Sequence, residues 1–228
     1  MVAMTERRWR FKGPEMEGLV ARWYAGIRSS GKQVEEYRKQ AARLTAGLPD
    51  GAYVLEVAPG PGYLAIEMAR LGRLRVTGLD ISRTFVEIAT EKATLAGVSA
   101  DFHKGDVATM PFESGTFDLV VCQAAFKNFT QPGIALAEMH RVLRIGGTAV
   151  IDDMSSDATH ADIEAEVMNM ELGRVSTFMT KGTLEMLRRR AYSPAQFESL
   201  VARSPFQTCV ISTDGIGLEV RLVKPAQV

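Results

Sequence analysis

Short apolar runs alternate along this chain with longer stretches of helical period, the pattern of a parallel sheet with crossover helices. Residues 14–28 (PEMEGLVARWYAGIR) and 32–46 predict two helices ahead of the first strand. Pro49-Asp50-Gly51 supplies turn chemistry, and residues 53–57 predict a strand. A Pro/Gly turn follows, then a helix from about Pro61 to Leu71 stopped by Gly72. Residues 74–79 predict a second strand, closed by Asp80. Ser82 can cap a helix whose Phe85, Ala89, Ala93 and Ala96 share a face, with Gly97 at its end. Residues 100–103 form a short third strand, and 117–122 a fourth, almost continuously apolar and therefore central. Thr130 and Pro132 open a helix to Leu143 that Gly146-Gly147 ends, and 148–151 is the fifth strand. A last helix near 194–201 leads into strands at 206–212 and 216–223, joined by Thr213-Asp214-Gly215. Asp-Gly between apolar runs is a hairpin signal.

The polar pattern changes after the fifth strand. Residues 152–171 hold seven acids and no Lys or Arg, whereas 172–190 hold five basic residues against one acid. A helical segment capped by Asp157 fits, its acids well placed for the helix dipole. Across all 228 residues, 27 basic and 27 acidic side chains cancel, which argues against a nucleic-acid partner. A 46% apolar, 24% charged composition suits one large core, with no apolar run of membrane-spanning length. The basic start MVAMTERRWRFKG lacks an apolar signal region, and Cys122 and Cys209 form no disulfide framework. A cytoplasmic setting is expected.

The informative unit is VLEVAPGPGYLA, residues 54–65. A strand enters a turn carrying Gly60 and Gly62, and a helix leaves it, so a ligand can approach the backbone and meet free helix N–H groups. Asp80 ends the next strand 18 residues after Gly62, where a carboxylate can accept both hydroxyls of a ribose. Loop plus acid predicts a nucleoside-containing cofactor. Residues 60–65 fit GxGxxA, the NAD-type fingerprint, while read from Glu56 the segment is ExAxGxG with Ala58 in place of a first glycine. The loop alone leaves both open.

The ordered set GPG at 60–62, Asp80, Gly105-Asp106, Phe117-Asp118-Leu119-Val120 and Arg141-Val142-Leu143-Arg144-Ile145-Gly146-Gly147 resembles class I S-adenosylmethionine-dependent methyltransferases. Over about residues 35–155 it looks most like their ubiquinone/menaquinone-biosynthesis-like (methyltransferase type 11) branch. The departures are Ala58 and two prolines, Pro59 and Pro61, which remove loop N–H donors. A short-chain NAD dehydrogenase would show Tyr-x-x-x-Lys, absent here. An NAD(P)-dependent Rossmann oxidoreductase and a non-catalytic S-adenosylmethionine-binding module stand as the alternatives. The resemblance implies a Rossmann-like α/β three-layer sandwich: seven mostly parallel strands, helices on both faces and a C-terminal antiparallel hairpin. One methyltransferase domain over 1–228 is expected. It divides into an N-terminal helical cover (1–47), a cofactor-binding core (50–155), a helical lid (155–193) and a C-terminal helix and hairpin (194–228).

The same resemblance implies residue roles. The backbone around Ala58, Gly60 and Gly62 would hold the methionine portion of S-adenosyl-L-methionine, with Glu56 at its amino group. Asp80 would bind the ribose hydroxyls and Ile81 would pack on adenine. Asp106 would accept from the exocyclic amine, the Val107 N–H would reach a ring nitrogen, and Gln123 would lie beside the methionine end. Transfer leaves S-adenosyl-L-homocysteine. A sulfonium methyl is intrinsically electrophilic, so positioning supplies much of the rate, and a base is needed only if the acceptor must lose a proton. His160, just beyond the fifth strand, is the expected base, and Tyr24 is expected to close over the sulfonium. His103 and His140 are expected to be structural. Asp152-Asp153 resembles part of a catechol-type magnesium site, but the residues after the fourth strand (Gln123-Ala124-Ala125-Phe126) lack the further Asp, so no metal is expected. Met154, Met168, Met170, Met179 and Met186 with nearby aromatics suggest an adaptable cover over a small, partly apolar acceptor.

Overall fold

A computed structural model describes residues 16–27, 31–170 and 174–226, so the expectations for 1–15, 28–30 and 171–173 lie outside the described residues. Helices α1 (Gly18–Ile27) and α2 (Gly31–Thr45) precede β1 (Tyr53–Val57). Then come α3 (Tyr63–Arg70), β2 (Arg75–Asp80), α4 (Arg83–Leu95), β3 (Ala100–Lys104), β4 (Phe117–Gln123), α5 (Pro132–Val142) and β5 (Leu143–Met154). Helices α6 (His160–Asn169), α7 (Arg174–Arg188) and α8 (Pro194–Ala202) lead to β6 (Val210–Asp214) and β7 (Gly217–Val223). The strand order is β3-β2-β1-β4-β5-β7-β6. All pairs are parallel as far as β5, and β7 runs antiparallel to both β5 and β6. Six strands therefore share one direction and β7 opposes them, as the expected Rossmann-like fold requires.

Alternation along the strands builds two cores. Leu55, Val57, Cys122 and Ile151 face Leu136 and Met139 of α5 and Phe197 and Val201 of α8. Val54, Val121 and Val150 face Ala41 and Leu44 of α2 and Leu64 and Met68 of α3. Strand β4 is buried on both faces, which explains its continuous apolar run. After β3 the chain crosses back to place β4 on the other side of β1. That reversal opens a crevice at the carboxyl ends of β1 and β4, where open α/β sheets bind ligands.

Four local expectations need correction. Helix α5 ends at Val142 because Leu143 is already extended (φ −70°, ψ 142°), so Gly146-Gly147 lie inside β5 rather than stopping a helix. The β4–β5 register shifts between Phe117 and Leu119, which absorbs this longer strand. Residues 206–209 are not strand: Phe206 plugs the core and Gln207 turns the chain at φ 62°. The hairpin pairs Asp214 with Gly217, so its two-residue loop is Gly215-Ile216. Thr159, not Asp157, caps α6, in a capping box with Asp162. Among the described residues no helix is long and apolar enough to cross a membrane.

Phe126, in a 3₁₀ turn at Phe126–Asn128 just after β4, is fully buried against the rings of Phe129, Tyr192 and Phe197. It joins α8 to the site edge of the sheet. Phe126→Ala is expected to cost about 3–5 kcal/mol in urea unfolding at an unchanged m-value. A loss below about 1 kcal/mol would show that this edge is not held by ring packing.

Candidate cofactor and acceptor site

The loop after β1 is shaped by left-handed backbone at Ala58 (φ 54°), Gly60 (φ 54°) and Gly62 (φ 78°). Gly62 has a second constraint, since a Cβ there would lie 2.8 Å from Ala89 of α4. A Cβ at Gly60 would meet nothing within 4 Å, so the loop is open on that side. The turn is closed by the Gly62 N–H donating to Pro59 C=O at 3.0 Å, and tied to β2 by the Ala58 N–H on Leu79 C=O at 2.8 Å.

Glu56 and Asp80 flank this loop. Glu56 is 3% exposed, and its Oε2 has no hydrogen-bond partner among the described residues. The Ala65 N–H in the first turn of α3 donates to its carboxylate, which stands in for the side-chain cap that Gly62 cannot supply. Burial pushes the Glu56 carboxyl up to about 8, the Ala65 N–H opposes this, and the charge of Asp80 adds to it. Asp80, 6% exposed, accepts the Gly60 N–H at 2.9 Å on one oxygen and the Ser82 N–H at 2.9 Å on the other. Its carboxyl is also raised, chiefly by burial, with those N–H groups working against the shift. A carboxylate offers about four lone-pair sites, so Asp80 keeps acceptor capacity for a ligand.

The other expected cofactor residues gather at the same end. The Gly105 N–H donates to Asp80 C=O at 2.9 Å, bringing the Gly105-Asp106 turn to the tip of β2. Asp106 caps the 3₁₀ turn Val107–Thr109 through the Ala108 N–H at 2.8 Å. Ile81 is 57% exposed beside the buried acid, an apolar surface without cover. These features, with the open side of Gly60 and the unpartnered Glu56 oxygen, fit an adenosine-bearing cofactor with a cationic amine.

Tyr24 of α1 lies edge-on to Phe85 of α4, with ring centroids 6.0 Å apart. The segment leading into α1 is pinned to the same helix end. Glu17 accepts the Arg83 and Thr84 N–H groups at 2.8 and 3.0 Å, and Ser82 Oγ donates to Met16 C=O at 2.8 Å. Hydrogen bonds from the Thr84 hydroxyl and N–H hold the Glu17 carboxyl below its usual range. Glu17 was not apparent in the sequence, where it fell in the first turn of the helix expected over 14–28 and looked like an ordinary solvated charge; the helix begins at Gly18.

A second, polar region is centred on the ends of β4 and β5. Gln123 Nε2 donates to Gln40 Oε1 at 2.5 Å, and Gln40 Nε2 donates to Asp152 Oδ2 at 2.8 Å. Glu36, Lys39, Gln40 and Arg43 of α2, with Gln123 and Asp152, line a depression of about 320 Å³. Burial first, then the charge of Glu219, pushes the Asp152 carboxyl up to about 6 against the pull of Arg43. Asp153 points to the other face and forms a nearly fully buried ion pair with Lys127 at 2.6 Å. Lys127 Nζ also donates to Ala124 C=O at 2.6 Å, which locks the chain after β4 onto β5. Neither pairing was expected from sequence. An acid ending an apolar strand was the usable signal for Asp152, as it was for Asp80.

His160 sits at the start of α6, 72% exposed in its side chain, with Nδ1 2.5 Å from Glu185 of α7. It is not among the residues lining the depression. His103 and His140 make edge contacts with Phe112 and Phe206.

Fold and site together define a Rossmann-like α/β protein with an open loop and two buried acids at the strand crossover. Residues 55–151 match the family model described as a methyltransferase domain. A demethylmenaquinone methyltransferase from Deinococcus radiodurans is 37% identical over 99 residues, covering 43% of this chain and 41% of that one. A phthiotriol/phenolphthiotriol dimycocerosates methyltransferase from Mycobacterium ulcerans is 34% identical over 127 residues, covering 55% and 46%. The chain thus spans less than half the length of these curated relatives. Among solved structures, a protein of Methanococcus maripaludis assigned as an S-adenosyl-L-methionine-dependent methyltransferase superposes with TM-score 0.73 at 18% identity, covering 96% of this chain and 98% of that one. The [4+2]-cyclase SpnF shares the fold at TM-score 0.57 and 21% identity, covering 86% and 82%. The resemblance carried by the glycine loop, the two acids and the fourth-strand motif is borne out, and the dehydrogenase alternative finds no support in these relatives.

Two measurements test this geometry. A carboxyl with a folded pKa near 8 and an unfolded one near 4.5 favours folding below the lower value, and that advantage is lost as pH rises through the upper one. Wild type should therefore lose stability between pH 5 and pH 8 relative to Glu56→Gln, by on the order of 2–4 kcal/mol. Parallel urea curves at the two pH values check this, and identical pH dependence would exclude a neutral buried Glu56. Ala58→Gly should raise stability by up to about 1 kcal/mol, since left-handed backbone costs a Cβ-bearing residue about that much. An unchanged or lowered melting temperature would count against strain at Ala58.

Proposed function

We propose that this chain is an enzyme that binds S-adenosyl-L-methionine and transfers its methyl group to a small, partly apolar acceptor, leaving S-adenosyl-L-homocysteine. The observation that carries the reading is the pair of buried acids flanking an open loop at the strand crossover. One of them holds a buried oxygen without a partner, and the other retains free acceptor capacity. When bound, the cofactor supplies an electrophilic methyl on a sulfonium.

The residues divide the binding work. Glu56 Oε2 takes the amino group, whose positive charge would draw the neutral carboxyl into its ionised form. Loop backbone at Ala58, Gly60 and Gly62 follows the methionine portion, and Gln123 lies at its far end. Asp80 accepts from the ribose hydroxyls, Ile81 packs on adenine, and Asp106 and the Val107 N–H read its edge. Helix α1, pinned by Glu17, covers this pocket with Tyr24 over the sulfonium. His160 is left to joining α6 and α7 through Glu185. We place the protein in the cytoplasm and, on its balanced charge, assign it no nucleic-acid partner. The curated relatives named as acting on quinone precursors support a small-molecule acceptor.

A second reading is a cofactor-binding protein that transfers no methyl group, and a cyclase among proteins of this fold supports keeping it in view. Conversion of S-adenosylmethionine to S-adenosylhomocysteine over a panel of phenols, quinols, amines and carboxylates separates the two. For the cofactor itself, calorimetry with S-adenosylhomocysteine should show wild-type binding and a loss of about 30-fold or more in Asp80→Ala. Equal affinity of the two proteins, or binding of NADH in its place, would sink the proposal.

A further inference from the structure

Three strands that meet at the crossover carry polar side chains on one face. Val54, Val121 and Val150 point toward α2 and α3, and register pairs Val121 with Val150 and Gln123 with Asp152. Two residues on from those valines, Glu56, Gln123 and Asp152 therefore share that face at the carboxyl ends of β1, β4 and β5. Antiparallel pairing continues the row to Glu219 of β7. Beyond Glu56 the row runs through Gln123 and Asp152 to Glu219.

Hydrogen-bond direction within the row is fixed by chemistry. An ionised Asp152 can only accept, so Gln40 must present its amide nitrogen to it. The Gln40 carbonyl oxygen then faces Gln123, which must donate. That orientation leaves the carbonyl oxygen of Gln123 as an acceptor at the end nearer the cofactor loop. Among the described residues Asp152 Oδ1 takes no hydrogen bond, although Asp152 lines the depression. An oriented, half-satisfied carboxylate in an open polar hollow suits a group that must take a proton and then release it to water.

We infer that Asp152 is the proton acceptor of the reaction, held by Gln40 and receiving the hydroxyl proton of an acceptor that enters the depression between α2 and the ends of β4 and β5. The inference rests on the methyl-transfer reading. In the step, the acceptor O–H bond breaks toward Asp152 Oδ1, and its electron pair stays with the acceptor. That pair, on the oxygen or on a carbon conjugated with it, forms the bond to the methyl carbon. The carbon–sulfur pair returns to sulfur, the cofactor's positive charge is cancelled, and Asp152 passes its proton to water in the depression.

Burial does most to raise the Asp152 carboxyl, and the charges facing it add the rest. Glu219 of β7, itself paired with Arg43 and Arg221, opposes ionisation, as does neighbouring Asp153, whose own charge is matched by Lys127. Arg43 favours ionisation, while Lys39 and Glu36 at the rim pair with each other. The result is a carboxyl raised to about 6, largely ionised at neutral pH yet basic enough to carry a proton in passing.

Phenol is a suitable probe because its hydroxyl stays protonated from pH 5 to pH 8. With the protein saturated in S-adenosylhomocysteine, phenol affinity measured by NMR titration should rise about five-fold between pH 5 and pH 7.5, with a midpoint near 6. Asp152→Asn should show no such rise. In wild type the carboxyl carbon of Asp152 should titrate with that midpoint, and phenol should move the midpoint lower. If Asp152→Asn fails to fold, that carboxyl titration decides alone. Normal S-adenosylhomocysteine binding with the same phenol profile in both proteins, or an Asp152 resonance indifferent to phenol, overturns the role of Asp152 and leaves the methyltransferase reading intact. No S-adenosylhomocysteine binding to wild type removes that reading, and the role of Asp152 with it.

Discussion

The hydrogen bond from the Gly60 N–H to the Asp80 carboxylate ties the two halves of the site together. It holds the loop after β1 against the end of β2, so the open side of that loop and the buried acid face the same crevice. Three left-handed residues within five positions make the bend possible, and the close contact of Gly62 with Ala89 seats α4 against it. From this one junction follow the direction of α3, the position of Ser82 as the cap of α4, and the docking of the segment before α1 through Glu17. Loosening it would disturb the loop and the docking of the segment before α1 together.

The ends of the central strands concentrate acids where water is scarce. Glu56, Asp80, Asp152 and Asp153 are all buried or nearly so, yet they are treated differently. Asp153 has a fixed cation in Lys127 and serves the architecture, fastening the chain after β4 to β5. Asp80 has backbone donors and spare lone pairs. Glu56 and Asp152 are under-satisfied, with raised carboxyls, which costs stability and marks the places where a ligand would repay the cost. Polar groups left short of partners in an otherwise well-packed sheet separate binding from scaffolding here. His160 is engaged by Glu185 of α7 and is not among the residues lining the depression.

The strand pattern and the glycine loop were legible in the sequence because they depend on local properties. Apolar runs named all seven strands, although β5 begins five residues earlier and β6 four residues later than they suggest, and the loop and Asp80 were recognisable from spacing. Errors fell where tertiary contacts overrule local signals. Gly146-Gly147 looked like a helix stop, but β4 recruits the residues before them into β5. Residues 206–209 looked like strand, but the core takes Phe206 as a plug. Thr159 outcompeted Asp157 as a cap because only Thr159 has an acid three residues on to complete the box.

The sequence by itself determined the class of fold, the glycine loop after β1 and the acid that ends β2, since each is written in residues close together along the chain. Which acids are satisfied and which are left wanting was decided only by the tertiary structure. Lys127 reaches Asp153 across 26 positions, Gln40 reaches Asp152 across 112, and Arg43 reaches Glu219 across 176. Partnerships of that span depend on sheet order and on where α2 lies, and no periodicity in the chain records them. Asp152 and Asp153 are neighbours in sequence, yet the pleat of β5 sends them to opposite faces, one into an ion pair and the other into an open hollow.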